Sequence, residues 1–214
     1  MSFMSWLINQ SGKPSGFAGR INLWRMGRRH SGLTEWGLAQ VSVGSRDTIL
    51  DVGCGGGKTV ARLAAMATEG KTYGIDYSDA SVAASRKANR EAIAAGRVEI
   101  LSGTVSGLPF PEGMFDLVTA VETHYYWPDL DADAREILRV LKAGGTFILV
   151  AEAYKNAKYE QLLPKLEKLP GIMKYSLLSA AEHREMFLTA EYSDVRVFEE
   201  EEKGWICVVG KKSA

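Results

Sequence analysis

The sequence predicts an α/β fold in which a sheet of seven strands is flanked by helices. Short β-type segments alternate along the chain with segments of helical periodicity, and a glycine-rich turn joins the first strand to a helix. The last two strands follow each other without a helix between them. We therefore expect them to pair as an antiparallel hairpin through Glu199 to Gly204.

Hydrophobic periodicity and turn residues place the expected elements along the chain. Helices are predicted over 34–42, 58–68, 79–94 and 130–141, and strands near 48–52, 72–76, 97–101, 115–121, 145–152, 193–199 and 204–210. Ser179 and Glu182 form a capping-box pattern, which begins a late helix that runs through Leu188. A chain of 214 residues can bury roughly 70% of its unfolded surface, so one α/β core accounts for the fold.

The glycine-rich turn is the first candidate for a binding site. Asp51-Val52-Gly53-Cys54-Gly55-Gly56-Gly57 follows the apolar end of the first strand and precedes the first core helix. Successive glycines let backbone N–H groups approach a ligand because no Cβ intervenes. Asp51 adds a carboxylate at the strand end, which repels phosphate and favours a positively charged ligand.

Two phosphate-binding motifs share this kind of turn, and neither fits the spacing. A nucleoside-triphosphate loop that ends in Gly57-Lys58-Thr59 needs its first glycine at position 52, which is Val52. A dinucleotide fingerprint that starts at Gly53 needs a glycine at position 58, which is Lys58. The turn therefore does not match a pyrophosphate-binding loop.

The remaining pattern, Asp51-x-Gly53-x-Gly55-x-Gly57, resembles the first motif of the class I S-adenosylmethionine-dependent methyltransferases. A second acid, Asp76, ends the following predicted strand, one βαβ unit further along the chain. A carboxylate there can accept hydrogen bonds from two ribose hydroxyls, and Tyr77 adds a flat face beside an adenine. Taken alone, Asp76 would be interpreted as a helix N-cap or a turn residue. Its position one βαβ unit after the glycine turn favours the ligand-binding interpretation.

The resemblance continues through the middle of the chain. Gly103-Thr104-Val105 lies where the family usually has Gly-Asp-Ala against the adenine edge, and Thr104 departs from it because it offers no carboxylate. The segments 108–118 and 136–145 resemble the family's proline-bracketed loop, fourth strand, following helix and Gly-Gly turn. The resemblance implies a Rossmann-like, mostly parallel sheet in the order 3-2-1-4-5-7-6. It also implies S-adenosylmethionine as cofactor, bound by Asp51, Gly53, Cys54, Gly55, Asp76, Tyr77, Thr104, Val105, Val121 and Glu122.

An unusual segment, Val121-Glu122-Thr123-His124-Tyr125-Tyr126-Trp127-Pro128, follows the predicted fourth strand. Groups at strand ends often carry function in open α/β sheets. His124 is a candidate general base, and the alternative is that it packs beneath the neighbouring aromatic residues. Tyr125, Tyr126 and Trp127 either line a substrate pocket or belong to the core. His30 is a second candidate base on the substrate side, whereas His183 is interpreted as structural.

Composition excludes several classes of protein. The 26 basic and 26 acidic residues balance, so the chain lacks the charge of a dedicated nucleic-acid-binding protein. Cys54 and Cys207 are too few for a disulfide framework or a zinc site, so no metal is expected. The chain has no apolar run near about 18 residues and no signal-peptide pattern, so a cytoplasmic protein that does not bind membranes is expected.

Two regions outside the motifs are expected to govern substrate choice. Residues 1–44 are predicted to form an N-terminal arm with lid helices, and residues 45–214 the cofactor-binding domain. The basic residues of the arm precede the first acidic residue, Glu35; they are Lys13, Arg20, Arg25, Arg28 and Arg29. The arm either captures a carboxylate of cofactor or substrate, or is a solvated segment that packs through its aromatic residues. The segment 153–178 is interpreted as a cover over the substrate.

The sequence thus predicts a methyltransferase that transfers a methyl group from S-adenosylmethionine to O, N or C of a small molecule. A non-catalytic domain that binds the cofactor as a sensor or partner subunit is the alternative, because it would share the glycine turn and Asp76. A dinucleotide dehydrogenase is a distant third. The sequence leaves the acceptor and the oligomeric state open.

Overall fold

A computed structural model describes residues 30–156 and 177–214 of the chain. The five basic residues of the predicted arm and most of the predicted substrate cover, residues 157–176, lie outside the described residues. Within the described part, no helix combines the length and apolar composition needed to cross a membrane.

Seven strands form one sheet, as the sequence predicts. They are β1 (Thr48–Val52), β2 (Lys71–Asp76), β3 (Val98–Ser102), β4 (Phe115–Val121), β5 (Leu141–Ala151), β6 (Ser193–Glu200) and β7 (Trp205–Lys211). Their order is β3-β2-β1-β4-β5-β7-β6, which confirms the order that the family resemblance implies. The first five strands are parallel, and β7 runs antiparallel to both β5 and β6, so the C-terminal hairpin is also confirmed.

The helices follow the predicted pattern with shifted ends. They are α1 (Ser31–Leu38), α2 (Lys58–Met66), α3 (Asp79–Ala88), α4 (Arg90–Ala94), α5 (Leu130–Val140) and α6 (Ala180–Thr189). The helix predicted over 34–42 begins earlier and ends at Leu38. The capping box at Ser179 is confirmed, since its hydroxyl accepts from the Glu182 N–H and the Glu182 carboxylate accepts from the Ser179 N–H.

The single helix predicted over 79–94 is wrong, because the chain breaks at Asn89 into α3 and α4. The buried Asn89 amide donates to the carbonyl oxygens of Gly57 and Ser85, at 3.0 and 2.9 Å. An asparagine side chain that bonds to the backbone competes with continuation of the helix. This break ties the second core helix to the glycine turn.

The predicted start of the fifth strand at 145 is also wrong, because β5 begins at Leu141. The pairing with β4 shifts between Phe115↔Leu141 and Leu117↔Thr146, and Gly144 within the shift has φ of 75°. The Gly-Gly turn is thus absorbed as a bulge in the strand.

Both faces of the sheet are buried beneath helices. Neighbouring residues of β5, Phe147 and Ile148, are both inaccessible to solvent but belong to different apolar clusters. Phe147 packs with Ile137 of α5 and Phe187 of α6, while Ile148 belongs to the cluster under α1 and α2. Because successive side chains of a strand point to opposite faces, helices cover both sides and leave the carboxyl ends of the parallel strands as one edge.

Candidate functional site

The glycine turn lies at this edge and packs against the loop after β4. Gly53, Gly55 and Gly57 have φ of 72°, 49° and 78°, a region that side-chain-bearing residues rarely adopt. A Cβ on Gly53 would lie 2.4 Å from Cγ2 of Thr123. The N–H groups of Gly53 and Cys54 both donate to the carbonyl oxygen of Ile75 at the end of β2. The turn therefore lies between the end of β2 and the loop after β4, the two strands that flank β1.

Asp76 connects the turn to the start of α3. Its two carboxylate oxygens accept from the N–H groups of Gly55 and Ser78, each at 2.9 Å. Ser78, and not Asp76, caps the helix, because its hydroxyl accepts from the Ser81 N–H. Burial raises the pKa of Asp76, although these hydrogen bonds act against the shift. Each oxygen retains capacity to accept a further hydrogen bond.

Asp51 is buried at the end of β1. Its Oδ1 accepts a hydrogen bond of 2.7 Å from the Thr119 hydroxyl on β4. The pKa of Asp51 is raised to about 7, mainly by burial and in part by the negative charge of Asp76, while the hydrogen bond from Thr119 acts against the shift. A positive ligand beside the two acids would offset the cost of their charge.

The remaining predicted cofactor residues differ in how deeply they are buried. Tyr77 and Thr104 are exposed, and the Gly103 N–H donates to the Asp76 carbonyl, which brings the end of β3 beside β2. Val105 is buried in the core. Cys54 is buried too, with Sγ 3.7 Å from the Ser85 hydroxyl, and burial raises its thiol pKa well above the usual value. The Cys54 thiol therefore packs as an apolar group beneath the turn.

Glu122 follows Val121 at the end of β4, with φ of 60°. One of its oxygens, Oε1, accepts from the Glu152 N–H and lies 3.2 Å from the Tyr125 hydroxyl. That hydroxyl also accepts from the Ala153 N–H at 3.1 Å. The Glu122 side chain is thus fixed between the ends of β4 and β5.

His30, at the start of α1, lies beside Glu122 and Glu152. Its Nε2 lies 3.5 Å from Glu152 Oε1 and 4.0 Å from Glu122 Oε2. The pKa of Glu122 is raised to about 7, mainly by burial; the charge of Glu152 adds to this shift and that of His30 opposes it. We call His30, Glu122 and Glu152 the histidine–glutamate cluster. Sequence reasoning named His30 and Glu122 for separate roles and missed Glu152, although its position at the end of a predicted strand was a usable signal.

His124 is almost fully buried, with 1% of its surface exposed. Its Nε2 lies 3.2 Å from Nε2 of His183, and Nδ1 of His183 lies 2.9 Å from the Ser179 carbonyl oxygen. Burial lowers the pKa of both imidazoles, that of His183 to about 4. The rings of His124 and Tyr125 are also in contact, with centroids 4.1 Å apart. The structure therefore places His124 in a buried histidine pair, and its role as a base stays a prediction.

Tyr125, Tyr126 and Trp127 are partly buried. Trp127 stacks on the core residue Phe147, with ring centroids 6.4 Å apart and planes 20° apart. A hollow of about 300 Å³ is lined by His124, Tyr125 and Trp127 together with the first residues of α5. The aromatic residues thus contribute to the core and also border an open space.

Residues 50–149 match the protein family described as Methyltransferase domain. This stretch contains the glycine turn, both aspartates and the loop after β4. This stretch is therefore a methyltransferase domain of the class I S-adenosylmethionine-dependent type.

Relatives of the chain match it over different lengths. The sterol 24-C-methyltransferase of Aspergillus fumigatus is 36% identical over 113 residues, which are 50% of this chain and 29% of that protein. The demethylmenaquinone methyltransferase of Oceanobacillus iheyensis is 27% identical over 190 residues, 79% of each chain. A SAM-dependent methyltransferase from Aquifex aeolicus shares the fold, with a TM-score of 0.69 and 20% identity over 99% of this chain and 100% of that one. The chain spans about a third of the length of the sterol methyltransferases that it matches.

The glycine turn of this methyltransferase domain suits the family's cofactor, S-adenosylmethionine. The cofactor carries a positive sulfonium and an ammonium group, and the site holds two buried acids with raised pKa values. The positive-φ glycines keep the backbone open to a ligand. Charge and shape therefore agree with the cofactor that the family uses.

Proposed function

We propose that the protein is an enzyme that transfers the methyl group of S-adenosylmethionine to O, N or C of a small molecule. The pair formed by Asp51 and Asp76 carries this proposal, because two buried acids at neighbouring strand ends flank a glycine turn that suits a cationic nucleoside. The relatives named for sterol and demethylmenaquinone substrates support a small-molecule acceptor. The balanced charge of the chain is consistent with that acceptor class.

The chain's own residues would hold the cofactor at three places. Asp76 would accept from the ribose hydroxyls while it keeps its bonds to the turn. The backbone of Gly53, Cys54 and Gly55 would line the central part, with Asp51 as the nearby negative charge. Residues expected at the two ends are Tyr77, Thr104 and Val105 for the adenine and Val121 and Glu122 for the methionine.

Bound S-adenosylmethionine supplies a methyl group on an already activated sulfur. The task of the protein is therefore to align the acceptor and to exclude water, which can contribute roughly 7–11 kcal/mol to catalysis. Tyr125, Tyr126, Trp127 and His30 are the candidate acceptor-side residues. For His124 to act as the base, the acceptor must reach its Nδ1, because Nε2 is engaged with His183.

The deciding experiment measures transfer of a labelled methyl group. The purified chain is incubated with S-adenosylmethionine labelled on the methyl group and with fractionated small-molecule extract, beside Asp76→Ala and the exposed-site control Glu91→Gln. Label should appear in one fraction with the wild-type chain and the control, and fall at least tenfold with Asp76→Ala. Cofactor binding without transfer to any fraction would favour the non-catalytic alternative. Absence of cofactor binding would overturn both.

A further inference from the structure

The histidine–glutamate cluster brings three potential metal ligands together from separate parts of the chain. His30 precedes α1, Glu122 follows β4 and Glu152 follows β5. One ligand atom from each lies within 4.8 Å of the others. The side chains are 14%, 13% and 23% exposed, so the set is mostly withdrawn from water.

The contacts between the imidazole of His30 and the two carboxylates are long. The separations of 3.5 and 4.0 Å between the imidazole nitrogen and the carboxylate oxygens exceed a normal hydrogen bond of about 2.7–3.2 Å. Oε1 of Glu122 is already engaged with the Glu152 N–H and Tyr125, which leaves Oε2 on the side of His30. A cation bound between the two carboxylates would reduce their mutual repulsion in this mostly buried space.

The spacing matches what a bound cation imposes. A metal ion that lies about 2.0–2.6 Å from each ligand keeps neighbouring ligand atoms roughly 3–4.5 Å apart. The separations from His30 fall in this interval. We propose that His30, Glu122 and Glu152 bind one divalent transition-metal cation. The imidazole distinguishes this set from a patch of acidic side chains, and it favours Mn²⁺ or Zn²⁺ over the all-oxygen preference of Ca²⁺ and Mg²⁺.

The surroundings hold the ligands in place. Glu122 is oriented by the Tyr125 hydroxyl, which in turn accepts from the Ala153 N–H. Such outer contacts orient metal-bound carboxylates in proteins. Thr123, the next residue after Glu122, contacts the glycine turn at Gly53, so the cation would lie beside the proposed cofactor crevice. There it could bind and orient an acceptor that carries oxygen or nitrogen.

The test titrates metal alone into the full chain. Chelator-treated protein is titrated with Mn²⁺ and Zn²⁺ by calorimetry, without S-adenosylmethionine, and Mn²⁺ binding is checked by electron paramagnetic resonance. The wild-type chain and the control Glu91→Gln, which changes an exposed glutamate of α4, should bind one equivalent. Glu152→Gln and His30→Gln should each weaken binding at least tenfold. Two variants are used so that a folding defect in one, detected by circular dichroism, does not decide the result.

Equal affinity in wild type and both variants, or no binding at millimolar metal, would overturn the proposal. The titration contains neither cofactor nor acceptor, so its outcome does not depend on methyl transfer. A chain that binds no metal but transfers label would leave the proposed function intact. A chain that binds metal without transfer would support the metal site alone.

Discussion

The Nε2 atoms of His124 and His183 lie 3.2 Å apart in the interior of the protein. The Ser179 carbonyl can only accept, so Nδ1 of His183 carries the hydrogen of that 2.9 Å contact and Nε2 of His183 is an acceptor. His124 must then donate from Nε2, which leaves its buried Nδ1 as an acceptor with no protein partner among the described residues. These tautomers follow from the hydrogen-bond network. Both rings are neutral in this arrangement.

The histidine pair should make the protein less stable in acid. The pKa of His183 is lowered from 6.5 to about 4 in the folded state, so the unfolded chain binds a proton more readily between these values. The contribution of neutral His183 to the free energy of unfolding is therefore fully present above pH 6.5. It is lost as the pH falls toward 4, by up to about 3 kcal/mol. Denaturant unfolding of the wild type and His183→Gln at several pH values gives the free energy of unfolding as a function of pH. Between pH 6.5 and 4 it should fall more steeply in the wild type than in His183→Gln.

The wild type must be compared with His183→Gln because the raised pKa of Asp51 changes the stability with pH in the opposite direction. Since both proteins contain Asp51, its contribution cancels in the comparison. Glu185→Gln, on an exposed position of α6, should keep the wild-type slope. A His183→Gln variant with the same pH dependence as wild type would contradict the assignment.

Replacing Gly53 by alanine should destabilise the folded protein for two separate reasons. Its φ of 72° is unfavourable for alanine by about 1–2 kcal/mol, and a Cβ would also collide with Thr123. Gly144 has φ of 75° but open space around the Cβ position, so Gly144→Ala carries only the first cost. Gly53→Ala should therefore lower the free energy of unfolding more than Gly144→Ala, measured in denaturant. An equal loss would show that the contact with Thr123 relaxes freely.

The fold could be predicted from the sequence because the patterns that indicate strands, helices and turns are local. Strand periodicity and the glycine turn fix the elements, and the break at Asn89 was missed because it depends on a distant partner, the Gly57 carbonyl. The candidate site was predicted in part for the same reason. Asp51 and Asp76 belong to motifs, whereas the meeting of His30 with Glu152 depends on how α1 packs against β5 and β7, which no local pattern records.

Asp76 should contribute strongly to cofactor affinity. Each hydrogen bond to a charged group is worth roughly 1.5–3 kcal/mol, so Asp76→Ala should weaken S-adenosylmethionine binding tenfold or more. The structure adds a second reason, because the same carboxylate orders Gly55 and Ser78. Calorimetric titration measures the change, with Glu91→Gln as the control that keeps the wild-type affinity. Unchanged affinity in Asp76→Ala would remove the ribose assignment.

Asp51 should couple cofactor binding to proton release. With a pKa of about 7, roughly half of these carboxyl groups hold a proton at neutral pH in the free protein. A cationic ligand favours the charged carboxylate and lowers this pKa, so binding should release up to about half a proton near pH 7 and should tighten as pH rises from 6 to 8. Titration in two buffers with different ionisation enthalpies counts the protons.

Asp51→Asn isolates this effect, since it retains a similar shape and cannot titrate. Protons released by the cofactor's own amino group are the same in both proteins, so the difference between them belongs to Asp51. We expect the asparagine variant to release fewer protons and to bind with a weaker pH dependence. If proton release is identical in the two proteins, the Asp51 carboxylate is not electrostatically coupled to the cofactor, and its partner is Thr119 alone.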